Sequence, residues 1–142
     1  MRRPAAACLC AAALLAGLPA RAEAAAVQVE IEGVEAGGGP VFVALCQGGL
    51  SGDACGQGDR GDGSGRFLFR DVAPGTYAVA AFQDTNRNGQ LDRTGLGLPL
   101  EPYGFSGESG RRARPDFREA AFALREPGAL IRVRLVRALP RR

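Results

Sequence analysis

The sequence predicts an all-β chain folded as one antiparallel β-sandwich of six or seven short strands, Ig-like in layout, with long Gly-rich loops. Two observations carry this expectation. Apolar residues recur at every second position in several short runs, and Gly, Pro and Asx residues punctuate the chain between those runs. The sequence also lacks internal repeats and a separate linker, so the strands belong to one layered unit.

Val27, Val29 and Ile31 alternate with Gln28, Glu30 and Glu32, the period of a half-buried strand. Glu35 to Pro40 reads as a turn. Val41 to Cys46 is nearly all apolar, as expected of a central strand. Residues 47–65 hold much Gly and Asp and little apolar material, which predicts a long exposed loop. Arg66 to Val72 alternates again, with Phe67 and Phe69 on one face. Ala73-Pro74-Gly75 is a tight turn, because Pro presets φ and Gly accepts positive φ. Thr76 to Gln83 follows as a strand. Residues 93–115 are irregular and rich in Gly and Pro. Phe117 to Leu124 fits either a strand or a helix, and Pro127-Gly128 ends it. Ile131, Val133 and Leu135 mark a last strand.

The N-terminus has the form of a secretory signal peptide: Arg2 and Arg3, an apolar run from Ala5 to Leu18, then small residues that place cleavage after Ala22 or Ala24. The expected organisation is a signal peptide over 1–22 and one sandwich domain over 23–142. No other segment is long and apolar enough to predict a transmembrane span. The destination is the periplasm or the exterior, and the expected state is a monomer that meets an envelope or extracellular partner. Loss of Arg2, Arg3 and Arg21 takes the formal charge from +3 to zero, so nucleic acid has no electrostatic claim on the chain. All eighteen basic residues are Arg, which fits a base-composition bias.

Cys46 and Cys55 remain after cleavage. In an exported chain without His, this pair predicts a disulfide that closes a small loop; two metal-binding thiolates are the alternative. The absence of His removes the commonest acid–base group and metal ligand, and no nucleophile elbow or P-loop is present. The expectation is a protein that is not an enzyme. A carboxylate pair such as Asp84 and Asp92 doing hydrolytic chemistry is the minority alternative.

The most informative segment is Asp84-Thr85-Asn86-Arg87-Asn88-Gly89-Gln90-Leu91-Asp92. Oxygen-bearing side chains at every second position, then Gly, then a carboxylate, is the spacing of a calcium loop. Asp84, Asn86, Asn88 and Asp92 would offer side-chain oxygens, Asp92 directly or through a water. Gln90 would offer its backbone carbonyl. Position twelve is Gly95 rather than Glu, so tight binding requires an acid from elsewhere, such as Glu101 or Glu108. Asn-Gly is also a hairpin signal, so the same segment reads as a plain Asx turn. A second calcium site at Asp53, Asp59 and Asp62 has irregular spacing.

Pro74-Gly75-Thr76-Tyr77, then Phe82 to Asp92, then Gly97-Leu98-Pro99-Leu100-Glu101-Pro102-Tyr103-Gly104-Phe105-Ser106, closely resemble the exported bacterial proteins grouped as the DUF2141 family. The Pro-Gly-x-Tyr turn is similar to that of transthyretin-like and Cna-B-like sandwiches. The Asx loop resembles segments of calcium-binding repeats on bacterial surface proteins. The resemblance implies export and a sandwich and supplies no activity. Glu101, Tyr103, Phe105 and Ser106 are candidates to line a pocket for a small apolar or glycan ligand, between the sheets or under residues 97–106. Otherwise they cover one end of the sandwich and cap a turn. Arg111, Arg112 and Arg114 form a short cationic patch, read either as a solvated loop or as a site for anionic lipid or glycan.

Overall fold

The computed structural model describes residues 24–63, 65–107 and 116–140, together with Gly17. The signal-peptide assignment, Glu108 and the Arg111–Arg112–Arg114 patch lie outside the described residues. The strands are β1 (Ala25–Glu32), β2 (Val41–Cys46), β3 (Gln57–Gly61), β4 (Arg66–Val72), β5 (Gly75–Gln83), β6 (Tyr103–Phe105), β7 (Phe122–Leu124) and β8 (Gly128–Arg134). A one-turn 3-10 helix (Gly52–Ala54) precedes β3, and a four-residue helix α1 (Phe117–Ala120) precedes β7. Among the described residues no helix is long and apolar enough to cross a membrane.

The strands form two sheets, β4–β1–β8 and β3–β2–β5–β6, with β7 also paired to β5. The expected β-sandwich is therefore what the chain adopts. Its core lies between the sheets, where Val27, Val29, Val43, Phe67, Val79 and Val133 meet. The period-two reading holds in detail. In β1, residues 25, 27, 29 and 31 are buried while Gln28 and Glu32 are exposed. In β4, Phe67 and Phe69 point inward. The apolar β2 is central, flanked by β3 and β5.

Four features differ from the simplest reading of the sequence. Residues 47–65 contain β3, an edge strand whose side chains are exposed except at Gly61, so no apolar period announces it. Residues 93–115 contain β6, which is buried throughout. Phe117 to Leu124 is both helix and strand: Asp116 caps α1 by accepting from the Arg118 N–H (3.0 Å), and β7 follows. One pairing is parallel, β8 against β1, because β7 lies in the other sheet and the chain crosses over to reach the free edge of β1.

Beyond β8 the chain leaves the first sheet. Val136 exchanges two backbone hydrogen bonds with Tyr103 (2.8 and 3.0 Å), which closes that end of the sandwich against β6. Gly104 is required here, since a Cβ would stand 2.3 Å from the Arg134 carbonyl oxygen. The Pro74-Gly75 turn is fastened by the Tyr77 hydroxyl, which donates to the Ala73 carbonyl (2.8 Å).

Cys46 and Cys55 form the expected disulfide. It joins the end of β2 to the segment just before β3 and so fixes residues 47–55 over the sheet. Closing so short a loop should contribute about 2–3 kcal/mol. The double variant Cys46→Ala/Cys55→Ala is expected to lose that amount in urea unfolding, with the sandwich retained by circular dichroism.

Candidate functional site

β5 ends at Gln83, and the candidate calcium loop begins at once with Asp84. Among the described residues the buried polar and charged side chains are Gln83, Asp84, Glu101 and Ser106. A buried polar group is tolerable only when hydrogen-bonded. None of the buried side-chain nitrogens and oxygens described lacks a partner.

Gln83 fastens the turn before β2. Its Oε1 accepts from the Glu35 N–H (2.9 Å), and its Nε2 donates to the carbonyls of Glu35 (2.9 Å) and Gly39 (3.1 Å). Arg137 grips the same turn with a bidentate ion pair to Glu35 (2.7 and 2.8 Å). The hydrogen bond that Arg137 donates to Glu35 raises the Arg137 pKa, against the opposing effect of burial.

Asp84, only 1% exposed, folds the loop onto itself. One carboxylate oxygen accepts from the Asn88 N–H (3.2 Å) and the other from the Gly89 N–H (2.7 Å). Positive φ at Arg87 (61°) and Gly89 (78°) gives the tight path this requires. The Asn86 and Asn88 carboxamides accept from the N–H groups two residues on (3.2 and 3.0 Å). Both amide nitrogens donate to the Asp92 carboxylate; the contacts of Asn88 measure 2.9 and 3.0 Å. Asn86, Asn88 and Asp92 thus come together, through the amide nitrogens of the two Asn rather than their oxygens. The Gln90 side chain takes no part in these bonds; Gln90 enters through its backbone N–H, not through the carbonyl that the sequence offered as a ligand.

Glu101 does not complete the shell. Its Oε1 accepts from the Thr85 N–H (2.8 Å) and hydroxyl (3.2 Å), and its Oε2 accepts from the Asp92 N–H (3.1 Å). It is 3% exposed and clamps both ends of the loop from below. The reason is energetic: a buried carboxylate needs donors, and the loop's backbone N–H groups need acceptors.

The donor set suits a hard cation, because two carboxylates, two carboxamides and a carbonyl are all oxygen ligands of the kind calcium takes. Among the described residues no group of three or more His, Cys, Asp or Glu forms a metal-binding cluster. The loop therefore offers two acids, and the carboxamides supply the rest.

The four residues proposed to line a pocket separate into two pairs. Glu101 clamps the loop. Ser106 is also a brace, its hydroxyl accepting from the Val79 N–H (2.8 Å) and donating to the Ala120 carbonyl (2.6 Å). Tyr103 and Phe105 do line a cavity, a trough of about 300 Å3. It opens on the outer face of the second sheet rather than between the sheets. Its other walls are Phe42, Ala44, Leu50, Ala80, Phe82 and the disulfide loop, which the sequence reading did not single out. Phe42 and Phe82 stack in parallel at 5.0 Å. A second, more polar cavity of about 550 Å3 lies among the turns and includes Arg87.

These features define a small disulfide-closed β-sandwich whose loops are tied down by buried Gln83, Asp84 and Glu101. The chain belongs to the family described as an uncharacterized protein conserved in bacteria (DUF2141), whose model matches residues 29–131. That span contains all the segments on which the resemblance rests. No curated protein and no solved structure matches the chain.

Proposed function

We propose that this is an exported, non-enzymatic monomer that binds calcium in the Asp84–Asp92 loop and acts as a structural or interaction module of the cell envelope. The observation that carries the reading is the convergence of Asn86, Asn88 and Asp92 above a backbone already wrapped around the Asp84 carboxylate. Ion binding would turn the Asn86 and Asn88 carboxamides, whose nitrogens face Asp92 and whose oxygens accept backbone N–H groups, on a backbone that is already folded. The disulfide fits an oxidising compartment.

Thermal unfolding in calcium and in excess chelator tests this. At free calcium one hundred times Kd the ion should add about 2.7 kcal/mol and raise the midpoint by several degrees. Asp92→Asn should abolish most of that shift while leaving the chelator midpoint within about 1 kcal/mol of wild type, since the Asn86 and Asn88 amides that meet its carboxylate are on exposed residues and can turn to water. Equal midpoints with and without calcium would refute the metal reading.

A second reading, a carrier of a small ligand near residues 97–106, is favoured by the trough beside Tyr103 and Phe105. Its lining is almost entirely apolar, which favours an apolar ligand over a glycan, whose hydroxyls need partners.

A further inference from the structure

The two outer faces of this sandwich differ. On the first sheet, Glu30, Glu32, Arg66, Arg70, Arg132 and Arg134 face outward around one short row in which exposed Leu68 and Leu130 flank Gln28, and Glu30–Arg132 and Glu32–Arg134 pair at 3.3 and 3.5 Å. That face is mostly polar, as is usual for an antiparallel sandwich. The second sheet departs from it. Cross-strand register sets Arg60, Phe42, Phe82 and Tyr103 in one row, and Gly58, Ala44, Ala80 and Phe105 in the next. Small residues in the middle of the second row leave a floor between aromatic walls. The disulfide loop raises Leu50 on one side, and the Asx loop brings Leu91 to the other. The trough that results, about 300 Å3, is at the lower end of the range of small-molecule sites.

Charge completes the description. Arg93 lines the trough, with one guanidinium nitrogen donating to the Gly97 carbonyl (3.0 Å), and at the rim the Arg60 guanidinium stands over the Phe42 ring at 5.7 Å. No lining residue is acidic. An occupant needs an apolar body for the floor and an anionic end for the two guanidinium groups, which suit a planar carboxylate.

We propose that the outer face of the second sheet binds a small amphipathic anion, an aliphatic or aromatic body ending in a carboxylate, between the Phe42–Phe82 stack and the disulfide loop. The inference rests on the carrier reading and is independent of the calcium reading. It assigns Phe42, Ala44, Ala80 and Phe82 to a binding surface and gives Arg60 and Arg93 the anionic end.

Calorimetric titration of the purified protein with decanoate and with neutral decanamide, both below their aggregation limits, tests it. Decanoate should bind about five-fold more tightly, the range of a solvent-exposed ion pair. Arg60→Gln/Arg93→Gln should erase that preference, so that decanoate and decanamide bind the variant equally. Ala80→Phe should abolish binding of both probes. Ala44→Leu, a milder filling, should weaken both, with the melting curve confirming the fold. Equal affinity of wild type for the two probes would overturn the anion assignment and leave the carrier reading standing. No binding of either probe would overturn both. Undiminished binding by well-folded Ala80→Phe and Ala44→Leu would place the ligand elsewhere and overturn the site.

Discussion

Glu101→Gln is expected to destabilise the protein by about 2–3 kcal/mol in urea unfolding, and to do so in the presence of chelator. The Glu101 carboxylate accepts at both oxygens, from Thr85 and from Asp92. A Gln offers one oxygen and one NH2, so one backbone N–H must face another donor in a buried place. Neither side can recruit water easily at 3% exposure. The chelator condition separates two roles. If Glu101 were a calcium ligand, the loss would appear only when the ion is present. As a clamp on Thr85 and Asp92, it should show its full effect without the ion, and calcium affinity should fall as well, because the loop ends are no longer held.

The second large effect is expected at Gly39. Its φ is +93°, and a Cβ there would stand 2.0 Å from the Asp84 carbonyl oxygen. Gly39→Ala should cost about 3 kcal/mol or more, combining the left-handed backbone penalty with a clash against backbone that cannot swing away. Gly37 is the internal control. It lies in the same turn with φ +68° and has no atom within 4 Å of its Cβ position. Gly37→Ala should cost only about 1 kcal/mol, the backbone term alone. Denaturant midpoints of the two variants give the comparison. Similar losses would mean that the turn does not press on Asp84.

The sandwich was legible because alternation reports a half-buried strand directly: Val27, Val29 and Ile31 inward, and Phe67 and Phe69 inward. β3 was not legible, because an edge strand of Gln, Gly, Asp and Arg with exposed side chains has no period to read. β6 was hidden among Gly and Pro, since three residues cannot establish an alternation. In the site, the Asx spacing pointed to Asp84, Asn86, Asn88 and Asp92, and hydrogen bonds join Asn86 and Asn88 to Asp92 and wrap the loop backbone around Asp84. The clamp by Glu101 was not readable, because a buried structural carboxylate and a metal ligand are the same residue type in sequence. Gln83 gave no signal for the same reason, being one polar residue at the end of an apolar strand. The trough is a property of register: Phe42, Phe82 and Tyr103 are far apart in the chain and meet only when β2, β5 and β6 pair. The apolar outer positions of β2 were visible in the run Val41–Cys46, where both faces are apolar, and they marked a central strand.

Direct calorimetric titration of calcium into chelator-stripped protein tests the central claim most directly. One saturable site per chain, lost in Asp92→Asn while the variant remains folded, is the predicted result. A flat titration up to millimolar calcium would contradict it, and the Asp84–Asp92 segment would then be an Asx turn held by its own hydrogen bonds.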